Sequence, residues 1–266
     1  ASQTGQWSFT ILELYKTDVP ESMMHWLFLA FSLAFLIKIP VFPFHTWLPD
    51  TYTEAPATVT CLLSGVMAKM GIYGFIRLTI PLFPEAFAQW QILFACLAVL
   101  GIVYSALIAL VQTDIKRLLA YASISHLSLI AFGVFVWSSF SLTGSLYHMM
   151  SHALTTGALF LMVGILEERY QNRELTHYGG IATIAPIYTT LFLVFSLASI
   201  GLPGLNGFIG EFLILTGSMP TPLYPIAFIA ALTLILGAAY MLWYIQRFFF
   251  GQLKSLDKLP LKLSLR

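Results

Sequence analysis

Charge is what this 266-residue sequence has least of: Asp, Glu, Lys and Arg supply 9% of it, against roughly 25% in an average soluble domain. A water-facing surface cannot be built from so little, which excludes a soluble enzyme or a freely diffusing binding module. The net charge is +1, so no nucleic-acid partner is expected. Cysteine is nearly missing as well. Cys61 and Cys96 lie in apolar stretches without a CxxC or Cys/His spacing and read as small core residues, not as a disulfide or metal site. No Ser/His/Asp nucleophile arrangement is visible. The glycine-rich run Gly201–Gly207 is not GxGxxG, and no strand precedes it, which argues against a phosphate loop. The chain opens on Ala1-Ser2-Gln3 with no charged and apolar leader before its first apolar run, so no signal peptide is expected.

Apolar runs are what the sequence has in abundance. Hydrophobic residues make up 58%, and the mean hydropathy is +0.83. A membrane span needs about 20 mostly apolar residues. Seven stretches qualify: His25 to Thr46, Ala57 to Ile80, Phe87 to Val111, Leu118 to Trp137, Leu142 to Leu166, Ile184 to Ser218 and Tyr224 to Phe250. Turn residues separate them, among them Pro49-Asp50, Pro81 to Pro84, Thr113-Asp114, Ser138-Ser139 and Pro220 to Pro222. The expected fold is an all-α integral membrane bundle.

The basic residues test that count. With loops alternating between two faces, one face carries Lys116, Arg117, Arg169, Arg173, Arg247, Lys254, Lys258, Lys262 and Arg266. The other carries only Lys16 and Arg77. This asymmetry fits an odd number of spans and makes the first face cytoplasmic or its equivalent.

Two stretches are interrupted. Pro40 and Pro43 follow Lys38 in the first, and Gly201-Leu202-Pro203-Gly204-Leu205-Asn206-Gly207 divides the sixth. The sixth would also be roughly 50 Å long as one helix, well beyond a hydrocarbon core of about 30 Å. Broken backbone inside a membrane is tolerated only where protein or a wet cavity satisfies it, and such breaks mark ion or solute pathways. Each broken span is followed by one further span, with three ordinary spans between the pairs. The pattern is a five-span unit whose fourth member is broken. Five is odd, so successive units face opposite ways, as in inverted-repeat transporters. Residues 23–80 read as the end of a first unit and 87–250 as a second. Residues 1–22 form an extramembrane leader and 251–266 a basic tail, and at least three spans are expected upstream of Ala1.

Ionisable side chains at membrane depth are costly and therefore functional candidates. Lys38 precedes the first break, Lys69 lies within the second stretch, and His126 falls one to two turns into the fourth. His148 and His152, four apart, share a face of the fifth, and Glu211 follows the second break. Desolvation penalises the charged form of lysine and glutamate alike, and histidine titrates near neutrality. Such a series, wetted at the breaks, suits a proton relay. Competing readings are snorkelling of Lys38 and Lys69 to an interface and a packing pair for Glu211. His148 and His152 have metal-pair spacing but no carboxylate nearby in sequence, so one of the two reads as a satisfied core or interface histidine. His45 to Asp50 with Glu54-Ala55-Pro56 reads as a stiff interfacial corner anchored by Trp47.

Lys38-Ile39-Pro40-Val41-Phe42-Pro43-Phe44-His45-Thr46-Trp47-Leu48-Pro49-Asp50, Glu54-Ala55-Pro56 and Lys69-Met70-Gly71-Ile72-Tyr73-Gly74 resemble the antiporter-like membrane subunits of respiratory complex I. Asp114 to His126 is similarly typical, and the likeness runs from about Met24 to Gly251. Gly204 to Phe212, with Glu211 where related branches usually carry lysine, is similar to the M-type branch, chain 4 in mitochondrial naming. Tyr170 to Arg173 and Tyr178-Gly179-Gly180 also fit it. Thr51-Tyr52-Thr53 and Thr58-Val59-Thr60-Cys61 depart from the pattern.

The resemblance implies an inverted five-helix-repeat fold with more spans than this chain holds, and a proton-translocating subunit of an NADH:quinone oxidoreductase. It implies that Lys38, Lys69, His126, His152 and Glu211 form the relay, with the glutamate partner of Lys38 on an upstream span. It implies no cofactor or metal on this chain, with NADH, FMN, iron–sulfur clusters and quinone elsewhere in the complex. Neighbouring antiporter-like and other membrane-arm subunits are the implied partners. The implied place is an energy-transducing membrane: bacterial plasma membrane, mitochondrial inner membrane or thylakoid. A cation/proton antiporter subunit, a membrane-bound hydrogenase subunit and a passive structural subunit are the rival readings.

Overall fold

A computed structural model describes residues 10–16 and 19–252. Most of the expected tail, 251–266, and part of the expected leader therefore lie outside the described residues. The described part is helical, without a strand; its one β-bridge joins Asp114 and Glu174. Six helices are long and apolar enough to cross a membrane. They are α1 (Glu21–Lys38), α3 (Ala57–Leu82), α4 (Pro84–Leu110), α5 (Ile115–Val136), α6 (Ser139–Tyr170) and α9 (Tyr224–Phe249). Between them lie the short α2 (Trp47–Glu54) and the pair α7 (Pro186–Ser199) and α8 (Asn206–Ser218).

Local chemistry sets the ends. Pro84 and Pro186 open their helices at the first turn, where the missing N–H costs nothing and φ is already helical. Asp114 caps α5 by accepting from the backbone N–H of Lys116 at 2.8 Å and of Arg117 at 3.1 Å. Ser138 caps α6 by accepting from Ser141 N–H at 3.1 Å, relieving helix-end donors that have no partner in the helix.

Three expectations change in detail. The first apolar stretch is helical only to Lys38, and residues 39–46 form the break around Pro40 and Pro43. The corner after it is not a turn. Trp47–Glu54 is a two-turn helix with Leu48, Pro49, Tyr52 and Thr53 buried, and Pro49 fits because it lies in the first turn, where it displaces no backbone bond. The sixth stretch is two helices, α7 and α8, joined through Gly201 (φ +69°) and Gly204 (φ +96°). Neither half is long enough to cross alone.

Helix α5 is central, and every residue in it except Arg117 and Tyr121 is buried. A helix apolar on all sides belongs inside a bundle. Its N-terminal half, Ile115 to Ile124, joins one apolar cluster with Leu48, Tyr52, Phe160, Phe192 and Tyr244. Its C-terminal half, Leu127 to Val136, joins a second with Phe28, Phe75, Phe94 and Ile214. Both broken segments pass from one cluster to the other. Ile39 and Val41 belong to the second cluster, while Leu48 and Tyr52 belong to the first. Phe192 belongs to the first, and Ile214 to the second. The breaks therefore stand at the boundary between the two apolar clusters.

The loop ends obey the expected sidedness. Arg173 bridges Asp114, Glu167 and Glu54 at 3.3, 3.7 and 3.6 Å, so the α4–α5 and α6–α7 loops share one end. Tyr178 packs on Phe248 at 4.5 Å, bringing the end of α9 to the same side. Arg77 lies at the other end, where its carbonyl accepts from the Tyr15 hydroxyl at 2.5 Å.

Candidate functional site

The boundary between the clusters is polar. Ser123, Ser125 and His126 sit there on α5, and His148, Ser151, His152, Thr155 and Thr156 on α6, all buried. Lys69 of α3 and Glu211 of α8 complete the layer, both buried. His126 lies at the midpoint of its 22-residue helix, about three turns in. The apolar run alone puts it one to two turns in, because the start of α5, Ile115-Lys116-Arg117, reads as loop.

Lys69 stands just past a π-helical turn, Leu63–Met67, where α3 returns to α geometry at Lys69–Gly74. Such turns are rare and concentrate at functional sites; nothing in the sequence marked this one. The Lys69 ammonium donates to the carbonyl of Ser64 and meets His152 Nδ1 at 2.8 Å. An ammonium only donates, so opposite charged Lys69 the His152 proton belongs on Nε2. There Ser123 Oγ waits at 3.3 Å. Snorkelling therefore fails for Lys69, whose nitrogen is held inside the bundle.

At the far end of the layer, Glu211 Oε1 lies 3.4 Å from His126 Nδ1 and 3.8 Å from His148 Nε2. The three imidazoles bridge the two ends. His126 is 5.6 Å, centre to centre, from both His148 and His152. Two glycines admit this packing. A Cβ at Gly210 would stand 2.5 Å from His148 Cβ, so only glycine lets α8 reach α6 there. Gly201 lies against the Glu211 carboxylate, and a Cβ there would fall 3.0 Å from Glu211 Cδ. Close small-residue contacts of this kind hold membrane helices together in place of a hydrophobic drive.

Lys38 is placed differently. It ends α1 half-buried, and no hydrogen bond or ion pair joins it to the Lys69–Glu211 series among the described residues. Its helix end does press on α3 near Lys69, because a Cβ at Gly71 would meet Phe35 O at 2.9 Å and Ile39 N at 3.1 Å. The structure thus brings together Lys69, His152, His126 and Glu211, with Lys38 at the edge. The two histidines of α6 differ among the described residues. His152 is engaged by Lys69 and Ser123, whereas neither ring nitrogen of buried His148 has a hydrogen-bond partner.

Sequence reasoning missed a second constellation. Lys116, expected in a basic loop, is 1% exposed, with Nζ 2.6 Å from Glu167 and 3.1 Å from the carbonyl of Ala55. Arg173 donates to Thr53 O at 2.6 Å and pairs with three acids. Arg117 and Asp50 pair at 3.1 Å. These contacts pin α2, just beyond the first break, to the ends of α5 and α6. The signal available was the acid-and-base density of Asp50, Glu54, Asp114, Lys116, Arg117, Glu167 and Arg173 in a chain with only 9% charged residues.

Comparisons with known proteins identify the family. The family described as NADH:quinone oxidoreductase/Mrp antiporter, TM, matches residues 1–254. The chain is 42% identical over 247 residues to the NADH-quinone oxidoreductase subunit M of Rickettsia prowazekii (strain Madrid E), covering 93% of this chain and 50% of that protein. It is 41% identical over 252 residues to the NADH-ubiquinone oxidoreductase chain 4 of Marchantia polymorpha, covering 95% and 50%. A chain of respiratory complex I from Thermus thermophilus with bound NADH superposes with a TM-score of 0.88 at 40% identity, covering 93% of this chain and 53% of that one. A chain of the Mrp complex from Dietzia sp. DQ12-45-1b shares the fold at a TM-score of 0.86 and 23% identity, covering 94% and 46%. The chain spans about half the length of the curated relatives it matches. On a match that takes in both breaks and the whole polar layer, this chain is a multi-pass membrane protein that belongs to the NADH:quinone oxidoreductase/Mrp antiporter transmembrane family.

Proposed function

We propose that the chain is part of a proton-translocating membrane-arm subunit of an NADH:quinone oxidoreductase. It moves protons through Lys69, His152, His126 and Glu211, and the redox chemistry is carried out by other subunits. The observation that carries this reading is the buried polar layer between two apolar clusters, with Lys69 2.8 Å from His152 and Glu211 3.4 Å from His126. Each group is one whose charge is costly at membrane depth, and each has a titratable neighbour to receive its proton.

In this mechanism Lys69 passes a proton to His152 Nδ1, and the ring releases one from Nε2 toward Ser123 and His126. His126 delivers it to Glu211. A charge arriving at Lys38, beside the α3 segment that carries Lys69, raises the cost of a second positive charge at Lys69 and starts the transfer. Residues 23–80 act as the end of one five-helix unit and 87–250 as the second. The partners are the neighbouring antiporter-like subunits and the rest of the membrane arm. The chain itself holds no redox cofactor. NADH, FMN, iron–sulfur clusters and quinone belong to the other subunits.

The test is proton pumping against electron transfer in the assembled complex carrying Lys69→Ala. Loss of pumping with the complex assembled is the expected result. Unchanged pumping would make Lys69 a packing charge and leave a structural role for the layer. A cation/proton antiporter would use the same relay without NADH, and the subunits that purify with the chain separate the two.

A further inference from the structure

We propose that His126, His148 and Glu211 form a binding site for a divalent transition-metal ion of the zinc type, and that its occupation blocks the carboxylate end of the polar layer. Glu211 Oε1 lies 3.4 Å from His126 Nδ1 and 3.8 Å from His148 Nε2. No two of the three ligand atoms are more than 4.8 Å apart. Tetrahedral zinc, with bonds of about 2.0–2.1 Å, sets its ligand atoms about 3.3–3.4 Å apart. The first pair already has that spacing. The other two would have to shorten on binding, by at most about 1.4 Å from the 4.8 Å limit, and because the His148 backbone is fixed against Gly210 its ring would have to turn.

A second observation points the same way. Both nitrogens of His126, both of His148 and Glu211 Oε2 are buried without a hydrogen-bond partner among the described residues. Buried polar atoms are ordinarily bonded; here His126 Nδ1 and His148 Nε2 have only the ion-pair approach to Glu211 Oε1 and the other three atoms have no bond, a concentration that calls for a ligand. Two imidazole nitrogens and one carboxylate oxygen form the donor set of an open zinc site, with the fourth position left to water. Imidazole suits zinc, cobalt, nickel and copper, whereas magnesium and calcium require about six or more oxygen ligands. His152 takes no part, because Lys69 and Ser123 already engage its two nitrogens. The pair legible from spacing, His148 with His152, lacked a carboxylate. Folding exchanges His152 for His126 and brings Glu211 from the next broken segment.

Ligation would occupy His126 Nδ1 and Glu211 Oε1, the two atoms between which the proposed relay passes its proton. Inhibition therefore rests on the proposed function; metal binding does not. The experiment uses the intact complex, stripped by a chelator and titrated with Zn²⁺, as wild type, His148→Gln and His148→Cys. Bound zinc, X-ray absorption at the zinc edge and pumping are read for each, with pumping expressed relative to that protein's own metal-free rate. His148→Gln is expected to bind one zinc fewer per complex and to need at least tenfold more Zn²⁺ for half-inhibition. His148→Cys is expected to keep the zinc and add a sulfur neighbour at about 2.3 Å. Equal zinc in wild type and His148→Gln, or a zinc shell without sulfur in His148→Cys, would overturn the site. Zinc bound as expected with pumping untouched would support the site and overturn the relay through His126 and Glu211.

Discussion

Gly201→Ala tests whether the position of the Glu211 carboxylate, and not merely its presence, sets the rate of proton transfer. Gly201 holds a φ of +69°, and a side chain in the left-handed region costs roughly 1–2 kcal/mol. That part of the effect is shared by Gly204, at φ +96°. The two glycines differ in what a methyl group would meet. At Gly204 nothing lies within 4 Å, whereas at Gly201 the new carbon would stand 3.0 Å from Glu211 Cδ and closer still to Oε2. Ordinary carbon–carbon contact is about 3.5–4.0 Å, so Cδ must retreat by about 0.5–1 Å, and the nearer Oε2 by more. Oε1 then leaves its 3.4 Å approach to His126. A misplacement of about 1 Å can cost about 100-fold in rate. We expect Gly204→Ala to lower the thermal stability of the complex slightly and pump normally per electron. Gly201→Ala should assemble comparably but pump about 10- to 100-fold more slowly. The assay is NADH-driven acidification of inverted membrane vesicles, normalised to electron transfer and to assembled complex. If both variants lose pumping equally, backbone strain explains the effect and the carboxylate argument fails. If neither does, the position of Glu211 is immaterial.

Two further outcomes follow from the same contacts. His152→Gln should abolish pumping nearly as fully as Lys69→Ala while assembly is retained, because an amide can accept from Lys69 but cannot carry its proton; vesicle acidification reads this directly. Asp114→Ala removes the α5 cap and one partner of Arg173 and should destabilise by about 1–2 kcal/mol. Arg117→Ala breaks only an exposed pair with Asp50 and should cost under about 0.5 kcal/mol; thermal unfolding of the purified complex compares the two.

The spans were legible because a bilayer demands long apolar runs, and a chain with 9% charge has few ways to disguise them. Lys69, His126, His152 and Glu211 were legible for the same reason: a charged or titratable residue inside an apolar run is conspicuous. Their partners were not. Lys69 and His152 are 83 positions apart, and His126 and Glu211 meet only when α8 closes on α6 through Gly210. Helix starts were read too late wherever polar residues began them, which displaced His126 and hid Lys116. The π turn before Lys69 left no trace in composition, since Leu63–Met67 reads as ordinary apolar helix. Trp47–Glu54 reads as a corner because its proline and acids are turn residues, yet its buried side, Leu48, Tyr52 and Thr53, follows helical spacing.

The polar layer and the two breaks belong together for a physical reason. The clusters on either side of the layer are packed with aliphatic and aromatic side chains, with tyrosine hydroxyls as the polar groups of the first. The proposed relay would exchange protons where the helices are broken, and both broken segments cross at that level. One lies beside Lys38 and reaches the Lys69 helix at Gly71; the other carries Gly201 against Glu211. The breaks thus stand at the two ends of the Lys69–Glu211 series, not along its middle. The ionic contacts of Arg173, Lys116 and Arg117 then fix α2 to the starts and ends of the helices that carry His126 and His152. A displacement of the first broken segment must either carry α5 and α6 with it or give up those contacts. Where α6 follows while α3 stays, the Lys69–His152 contact of 2.8 Å lengthens, and a shift approaching 1 Å breaks the hydrogen bond.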